Sequence, residues 1–541
     1  MTNFPLPRFA SGCALTVALG WSIFGGTPAH AAVNTPDTVQ PGATDLTSAA
    51  SYSAGLPTNV NDVIIDANTT AAPATLTLNS SLAFGSLNDL NANAIVVSND
   101  GTAGAANLTL GGSAAGTNSL GTSTTSTPAT TDLLYVAAGS NLTVNRTGAN
   151  GQTLGIILGQ TGSFDAQGPI TLNAPLNGNA KTLTVSGAGL VTFAGGFSNF
   201  ATNAAFNTGT NVSITATSAL AGATFMNGNT TISAGTTTAA TTAVTLVINN
   251  TGVLTVTGTG SLVNPTLRIG SVSGQSANLT VGSGGQVVAG NQIEFSHAVG
   301  TVASNLNLNG GSFTTGVGFT MTGPGVVNFN GGTLFETATL TTLRVGAGAG
   351  TLTLSVQGGG ALIDVVAGKT VSTNSVFSHG GTAATDGGLT KLDTGTLSLG
   401  GANTYTGGTT VNAGILTATA NSALGTGNVS VLNGATLTLA TGVTDAIADS
   451  ATLTLGSTGI VALNGTNGSA QESVGALFIN GVMQTPGTYG ATGSGATNIL
   501  PANFTGTGEL LVLVPEPSTW TMLFAGLGGL FALVFGRKRA V

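Results

Sequence analysis

Apolar residues alternate with Thr, Asn and Ser in short runs along most of the chain: Leu142-Thr143-Val144, Leu183-Thr184-Val185, Leu254-Thr255-Val256, Leu279-Thr280-Val281, Val327-Asn328-Phe329, Leu352-Thr353-Leu354 and Leu437-Thr438-Leu439. A period of two sends successive side chains to opposite faces, so each run predicts a strand. Gly or Asn follows within a few residues, as in Ser283-Gly284-Gly285 and Asn330-Gly331-Gly332, where the chain can take positive φ and turn. No segment before the C-terminal tail keeps the i, i+3, i+4, i+7 spacing of a helix, which excludes βαβ architecture. The expectation is all-β. A sandwich of this length would need several domains with larger aromatic cores. Stacked rungs of about 20 residues would instead let each small apolar strand pack on the next. The pattern therefore predicts an elongated right-handed parallel β-helix of roughly twenty to twenty-four rungs, on the order of 100 Å long. Leu, Val, Ile and Ala would form inward ladders, while Thr and Asn line up outside and hydrogen-bond along the stack.

The two ends break this pattern. From Ser518 to Gly536 no side chain is charged, and about nineteen residues at 1.5 Å rise make roughly 28 Å, enough for one membrane-spanning helix. Arg537, Lys538 and Arg539 follow, so the positive-inside bias holds the extreme C-terminus in the cytoplasm and places Pro515, Glu516 and Pro517 across the membrane. At the N-terminus, Arg8 precedes an apolar run from Ala14 to Phe24, and Ala29 and Ala31 are the small residues that signal peptidase reads. Cleavage is expected before Ala32. Cys13 imitates a lipoprotein box but precedes the apolar run instead of closing it.

Removing both ends leaves a passenger, 32–514, with no Cys and no Trp, so disulfides cannot hold it together. It carries 6 Lys and Arg against 17 Asp and Glu. That balance argues against nucleic acid as a partner. Charged residues are only 5% of the chain, whereas mean hydropathy is positive at +0.38. Disordered chains combine low hydrophobicity with high charge, so this one is expected to fold.

Two stretches carry family resemblances. Gly395-Thr396-Leu397-Ser398-Leu399-Gly400-Gly401-Ala402-Asn403-Thr404-Tyr405-Thr406-Gly407-Gly408-Thr409-Thr410-Val411, within 389–418, resembles the autotransporter-associated β-strand repeat, also called the passenger-associated transport repeat. Leu397 and Leu399 are expected to point inward from one strand, Thr410-Val411 to begin the next, and Asn403 to Gly408 to make the corner. The stretch from Ala476 to Leu513 resembles the closing module that follows such repeats, and a cap there would shield the backbone of the last rung. No membrane-barrel pattern of ten-residue alternating strands follows.

The tail, with Pro-Glu-Pro, an apolar helix and a basic cluster in order, resembles the PEP-CTERM sorting domain of Gram-negative bacteria. The resemblance implies recognition of Pro515, Glu516 and Pro517 by an exosortase, a membrane-embedded transpeptidase-like enzyme that removes the helix and passes the body toward the cell surface. It also implies bacteria that make extracellular polysaccharide.

Candidate chemistry is sparse. Glu294 and His297, three residues apart on a strand, would face opposite sides and read as exposed loop or turn residues. Asp62 and Asp66 would lie some 13 Å apart, too far for a glycosidase carboxylate pair. The segment Ile363 to Thr370 ends like a phosphate-binding loop but lacks its first Gly. Neither Cys-His metal spacing nor a Gly-Gly-x-Gly-x-Asp calcium series occurs. Asp364, Lys369, Asp386, Lys391 and Asp393 cluster in sequence, and neighbouring rungs could bring them together as in polysaccharide lyases, but sugar-stacking aromatics are scarce.

The organisation expected is a signal peptide at 1–31, a degenerate β-helix at 32–388, the repeat at 389–418, terminal rungs and cap at 419–514, and the sorting anchor at 515–541. The function expected is that of a non-enzymatic surface or matrix protein without cofactor or metal, held briefly in the inner membrane, then sorted by an exosortase and offered to exopolysaccharide. The alternatives are a polysaccharide-cleaving β-helix enzyme and a permanently anchored periplasmic β-helix.

Overall fold

Short alternating runs do become strands, and the strands stack in parallel. The computed structural model describes most of the chain between residues 37 and 514, without a break at 153–200 and 350–514. The signal-peptide residues Ala29 and Ala31, the triplet Pro515, Glu516 and Pro517, the apolar tail and Arg537, Lys538 and Arg539 lie outside the described residues, as do Asp66 and His297. Among the described residues no helix is long and apolar enough to cross a membrane.

The chain winds as a parallel β-solenoid. One sheet stacks thirteen strands, from Ala74–Thr77 to Phe377–His379, each contributed by a successive turn. Twelve spacings of about 4.8 Å give this sheet alone roughly 58 Å. A second sheet of 24 strands runs along the length, and shorter stacks of five and six strands flank the two at different levels. Register is strict: Leu254 pairs with Leu279, Leu279 with Leu306, Leu306 with Val327 and Val327 with Leu354. Turns are often longer than twenty residues, since Leu142 pairs with Ile170 and Val327 with Leu354. The chain therefore makes fewer turns than its length suggested.

Parity explains the core. In Asn141–Val144, Leu142 and Val144 are buried and Thr143 is half-buried. Phenylalanine joins the inward ladders to a degree that the aliphatic runs did not foretell: Phe193 meets Phe206 and Phe197, Phe295 meets Phe319, and Phe329 meets Phe377, all with ring centroids within 6.4 Å. Outside, amides climb the stack, with Asn305 Nδ2 donating to Asn278 Oδ1 at 2.9 Å and Asn328 Nδ2 to Asn307 Oδ1 at 2.8 Å. The turns at Gly284 and Gly331 take φ of +75° and +76°, a region glycine enters without steric cost.

The C-terminal end closes differently. Glu509–Val512 pairs parallel with Ala470–Val474 on one side and antiparallel with Gly487–Gly490 on the other. Val482–Met483 folds back antiparallel on Ala476–Ile479, the last parallel strand of the long sheet. Reversed strands end the parallel stack.

Candidate functional site: a clamped corner and its buried charges

The repeat stretch builds a corner from the inside. Thr396–Leu399 buries Leu397 and Leu399, Thr409–Val411 begins the following side, and between them residues 403–408 bend without strand pairing. Asn403 and Tyr405, on the corner, are themselves buried. Asn403 Oδ1 accepts from the Phe377 amide at 2.8 Å, one turn below, while its Nδ2 donates to Ala423 O, one turn above. Tyr405 fills the interior, its hydroxyl bonded to Thr409 Oγ1, which donates in turn to Leu424 O at 2.9 Å. Three successive turns are thus tied by one amide and one phenol.

A carboxylate locks the outer edge of the same corner. Asp386 Oδ1 accepts from the amides of Gly388 and Gly407 at 2.9 and 2.8 Å; Oδ2 accepts from the Thr406 amide at 2.7 Å and meets His379 Nδ1 at 2.8 Å. Gly388 serves this clamp with φ of +71°, and a Cβ there would lie 2.0 Å from Gly408 O. Burial pushes the Asp386 carboxyl up, but the Thr406 and Gly407 amides, the His379 ring and the Gly388 amide outweigh it and hold it below the usual carboxylate value. The Thr406 hydroxyl meets the same ring nitrogen, Nδ1, at 3.1 Å. A catalytic relay requires acid and nucleophile on opposite nitrogens of the imidazole. Here both sit on one, and the arrangement is a clamp.

Of the five ionisable residues that cluster in sequence, neighbouring turns bring Asp364, Lys391 and Asp393 within electrostatic reach of one another. Asp386 belongs to the clamp. Lys391 lies in an inward column between Ile363 and Val411, is fully buried, and donates from Nζ to the carbonyls of Leu392, Asp393 and Ala413. Burial lowers its pKa to about 8, against the upward pull of Asp364 and Asp393. Asp364 faces the other way from its strand, and burial followed by repulsion from Asp393 raises its carboxyl. Asp393, at φ +53°, caps the Thr394 amide. Lys369 is exposed on the turn after Ala361–Val365, where its backbone continues the ladder to Thr396. The stretch from Ile363 to Thr370 is strand, tight turn and strand.

Glu294 corrects a sequence expectation. It is a buried strand residue within Gln286–Phe295, paired with Arg268 on the neighbouring strand at 2.9 Å and accepting from Thr322 Oγ1 at 3.2 Å. Its long-range partners gave no local signal. Glu336 is stranger: it occupies an inward position, is fully buried, and neither carboxyl oxygen has a hydrogen-bond partner. Burial raises its pKa to about 8.

Elsewhere, a cavity of about 440 Å³ on the long sheet is lined by Asp132, Thr161, Ser163, Asp165, Thr184 and Asn207 among others. Ser163 Oγ donates to Asp132 Oδ1 at 2.5 Å, and burial raises the Asp165 carboxyl. Among the described residues no group of three His, Cys, Asp or Glu converges as metal ligands would.

Comparison with known families gives two matches. The passenger-associated-transport-repeat family matches residues 389–418, the clamped corner and its strands. The PEP-CTERM protein-sorting motif matches residues 513–539, beginning directly after the closing strand Glu509–Val512. No curated protein and no solved structure matches the chain. The sorting motif implies an exported protein of Gram-negative bacteria that is processed by an exosortase-type enzyme.

Proposed function

We propose that the chain is a structural, non-enzymatic component of the bacterial surface or extracellular matrix. It is exported as a preprotein, held in the inner membrane by 518–536, and released toward the surface when an exosortase acts at Pro515, Glu516 and Pro517. The observation that carries this reading is the sorting motif at 513–539 on the end of a closed solenoid. The solenoid supports a mechanical role, because side chains with chemistry are spent on holding turns together. Lys391, the basic residue a lyase reading would recruit, is enclosed with its ammonium engaged by three carbonyls. Asp386 is likewise saturated by donors.

The test is mass spectrometry of the protein in fractionated cells of the source organism. A body starting near Ala32, ending near Pro517 and found outside the inner membrane supports sorting. Replacing Pro515, Glu516 and Pro517 by Ala is expected to stop the processing, and a full-length C-terminus in the unaltered protein would favour permanent anchoring instead.

A further inference from the structure

Ionisable side chains are segregated between the faces of the solenoid. Among the described strands of the thirteen-stranded sheet the only titratable residue is His379, at its last position. The long sheet, in contrast, carries Asp132, Asp165, Arg268, Glu294, Glu336 and Lys391. Among the described residues, the strands of this sheet therefore carry no Asp, Glu, Lys or Arg from Ala74–Thr77 to Phe377–His379.

That face is also ordered. An outward column runs in unbroken register from Thr143 through Thr171, Thr192, Ser213, Thr231 and Thr255 to Ser378. Every member of it is Thr, Ser or Asn, and every member is half-buried. Its repeat is the strand spacing, about 4.8 Å. The hydroxyls of Thr143, Thr192, Thr231 and Thr255 have no protein partner among the described residues, so they remain available as donors and acceptors. The adjacent column mixes amides with aliphatic side chains: Leu190, 46% exposed, is followed by Asn211, Asn229, Val253, Asn278 and Asn305. The amides fix one another, Asn229 to Asn211 at 3.2 Å and Asn305 to Asn278 at 2.9 Å, so they lose little further freedom when a ligand arrives.

We propose that this face binds a neutral, extended polysaccharide lying along the solenoid axis. The inference rests on the surface or matrix role argued above and names its ligand class and its site. The chemistry selects the occupant. A hydroxyl-rich chain supplies a donor or acceptor to each Thr and Asn, and its C–H faces cover Leu190 and Val253. A second copy of the same face would set two rows fixed by their own backbones against each other, so any hydroxyl out of register with its counterpart would be left unpaired at a desolvation cost. An acidic glycan would find no Lys or Arg on the described strands of the sheet.

The experiment is affinity electrophoresis of the full chain, in mild detergent, through native gels containing hydroxyethylcellulose, amylose or alginate. Retardation is expected with at least one of the two neutral glucans. The variant Thr192→Lys with Thr231→Lys places two ammonium groups on the column, two turns apart, and is expected to weaken apparent affinity about tenfold or more, since an unpaired charge must be desolvated. Thr410→Lys with Thr454→Lys makes the same change on the long sheet and is expected to keep the retardation. Circular dichroism shows whether each variant retains the strand signature. Retardation by neither neutral glucan, retardation by alginate alone, or equal loss in both folded variants overturns the assignment. So does concentration-dependent dimerisation that Thr192→Lys with Thr231→Lys abolishes, which would make the face a contact between copies. Because the assay needs no processing of the tail, its failure is separable from a failure of sorting.

Discussion

Asp386 and His379 meet across the corner at 2.8 Å, with the carboxylate enclosed and the imidazole side chain 30% exposed. The acid is the keystone of the pair, since it also takes three backbone amides. Asp386→Ala leaves those donors facing a void and is expected to cost about 3 kcal/mol, whereas His379→Ala is expected to cost about 1 kcal/mol. Urea unfolding of both variants at pH 7 checks the ranking.

The same clamp has a defined pH signature. The Asp386 carboxyl is held below its ordinary value in the folded chain, so its stabilisation is fully present above the ordinary carboxylate range and lost as pH falls through the lowered folded value. The stability difference between the unaltered protein and Asp386→Asn is therefore expected to be constant near neutrality and to shrink below about pH 4. A gap that persists undiminished to pH 2 would contradict this.

Glu336 works in the opposite direction. Its folded pKa is raised to about 8, so the unfolded chain releases the proton first and stability declines from the ordinary Glu range up to about pH 8. Glu472, raised to about 7, adds to the same decline. Glu336→Gln removes the titration, and its advantage is expected to grow from nothing near pH 4 to about 4 kcal/mol at pH 8. Thermal midpoints across that range decide it.

Lys391 separates shape from charge. Lys391→Ala opens a cavity in a packed column and is expected to cost about 3 kcal/mol. Lys391→Met keeps most of the volume and removes a buried ammonium, at a cost below about 1.5 kcal/mol near pH 7. Equal losses in the two would mean that the carbonyl contacts, and not the packing, dominate.

Tyr405→Phe is expected to cost about 1 kcal/mol, because Thr409 keeps its bond to Leu424 O after the phenol oxygen leaves. Tyr405→Ala is expected to cost about 4 kcal/mol, the penalty of emptying a large buried site. Chemical denaturation of the two variants, read by far-ultraviolet dichroism, measures the difference.

Strand positions were legible because alternation is a local property. Leu142, Val144, Leu397 and Leu399 are inward as their parity requires, and the bend at Asn403 to Gly408 falls where the repeat resemblance placed it. Parity also held the answer for two residues whose type concealed it. Lys391 shares parity with Leu389, and Glu336 with Leu334, so both had to point inward; their charge suggested the surface. The Asp386 clamp had no such signal. Its donors come from as far as twenty-one residues away, at Gly407, and only the pitch of the turns brings them together. The pairing of Arg268 with Glu294 is hidden for the same reason.

Pulling on the chain at Val514 would load the strand Glu509–Val512 along its own axis, flanked on one side by Ala470–Val474 and on the other by Gly487–Gly490. Ladders loaded that way must slip all their hydrogen bonds at once; a strand peeled from one end gives them up singly. A pull at Val514 directed along Glu509–Val512 would therefore meet a shear joint before it reached the parallel turns of the solenoid.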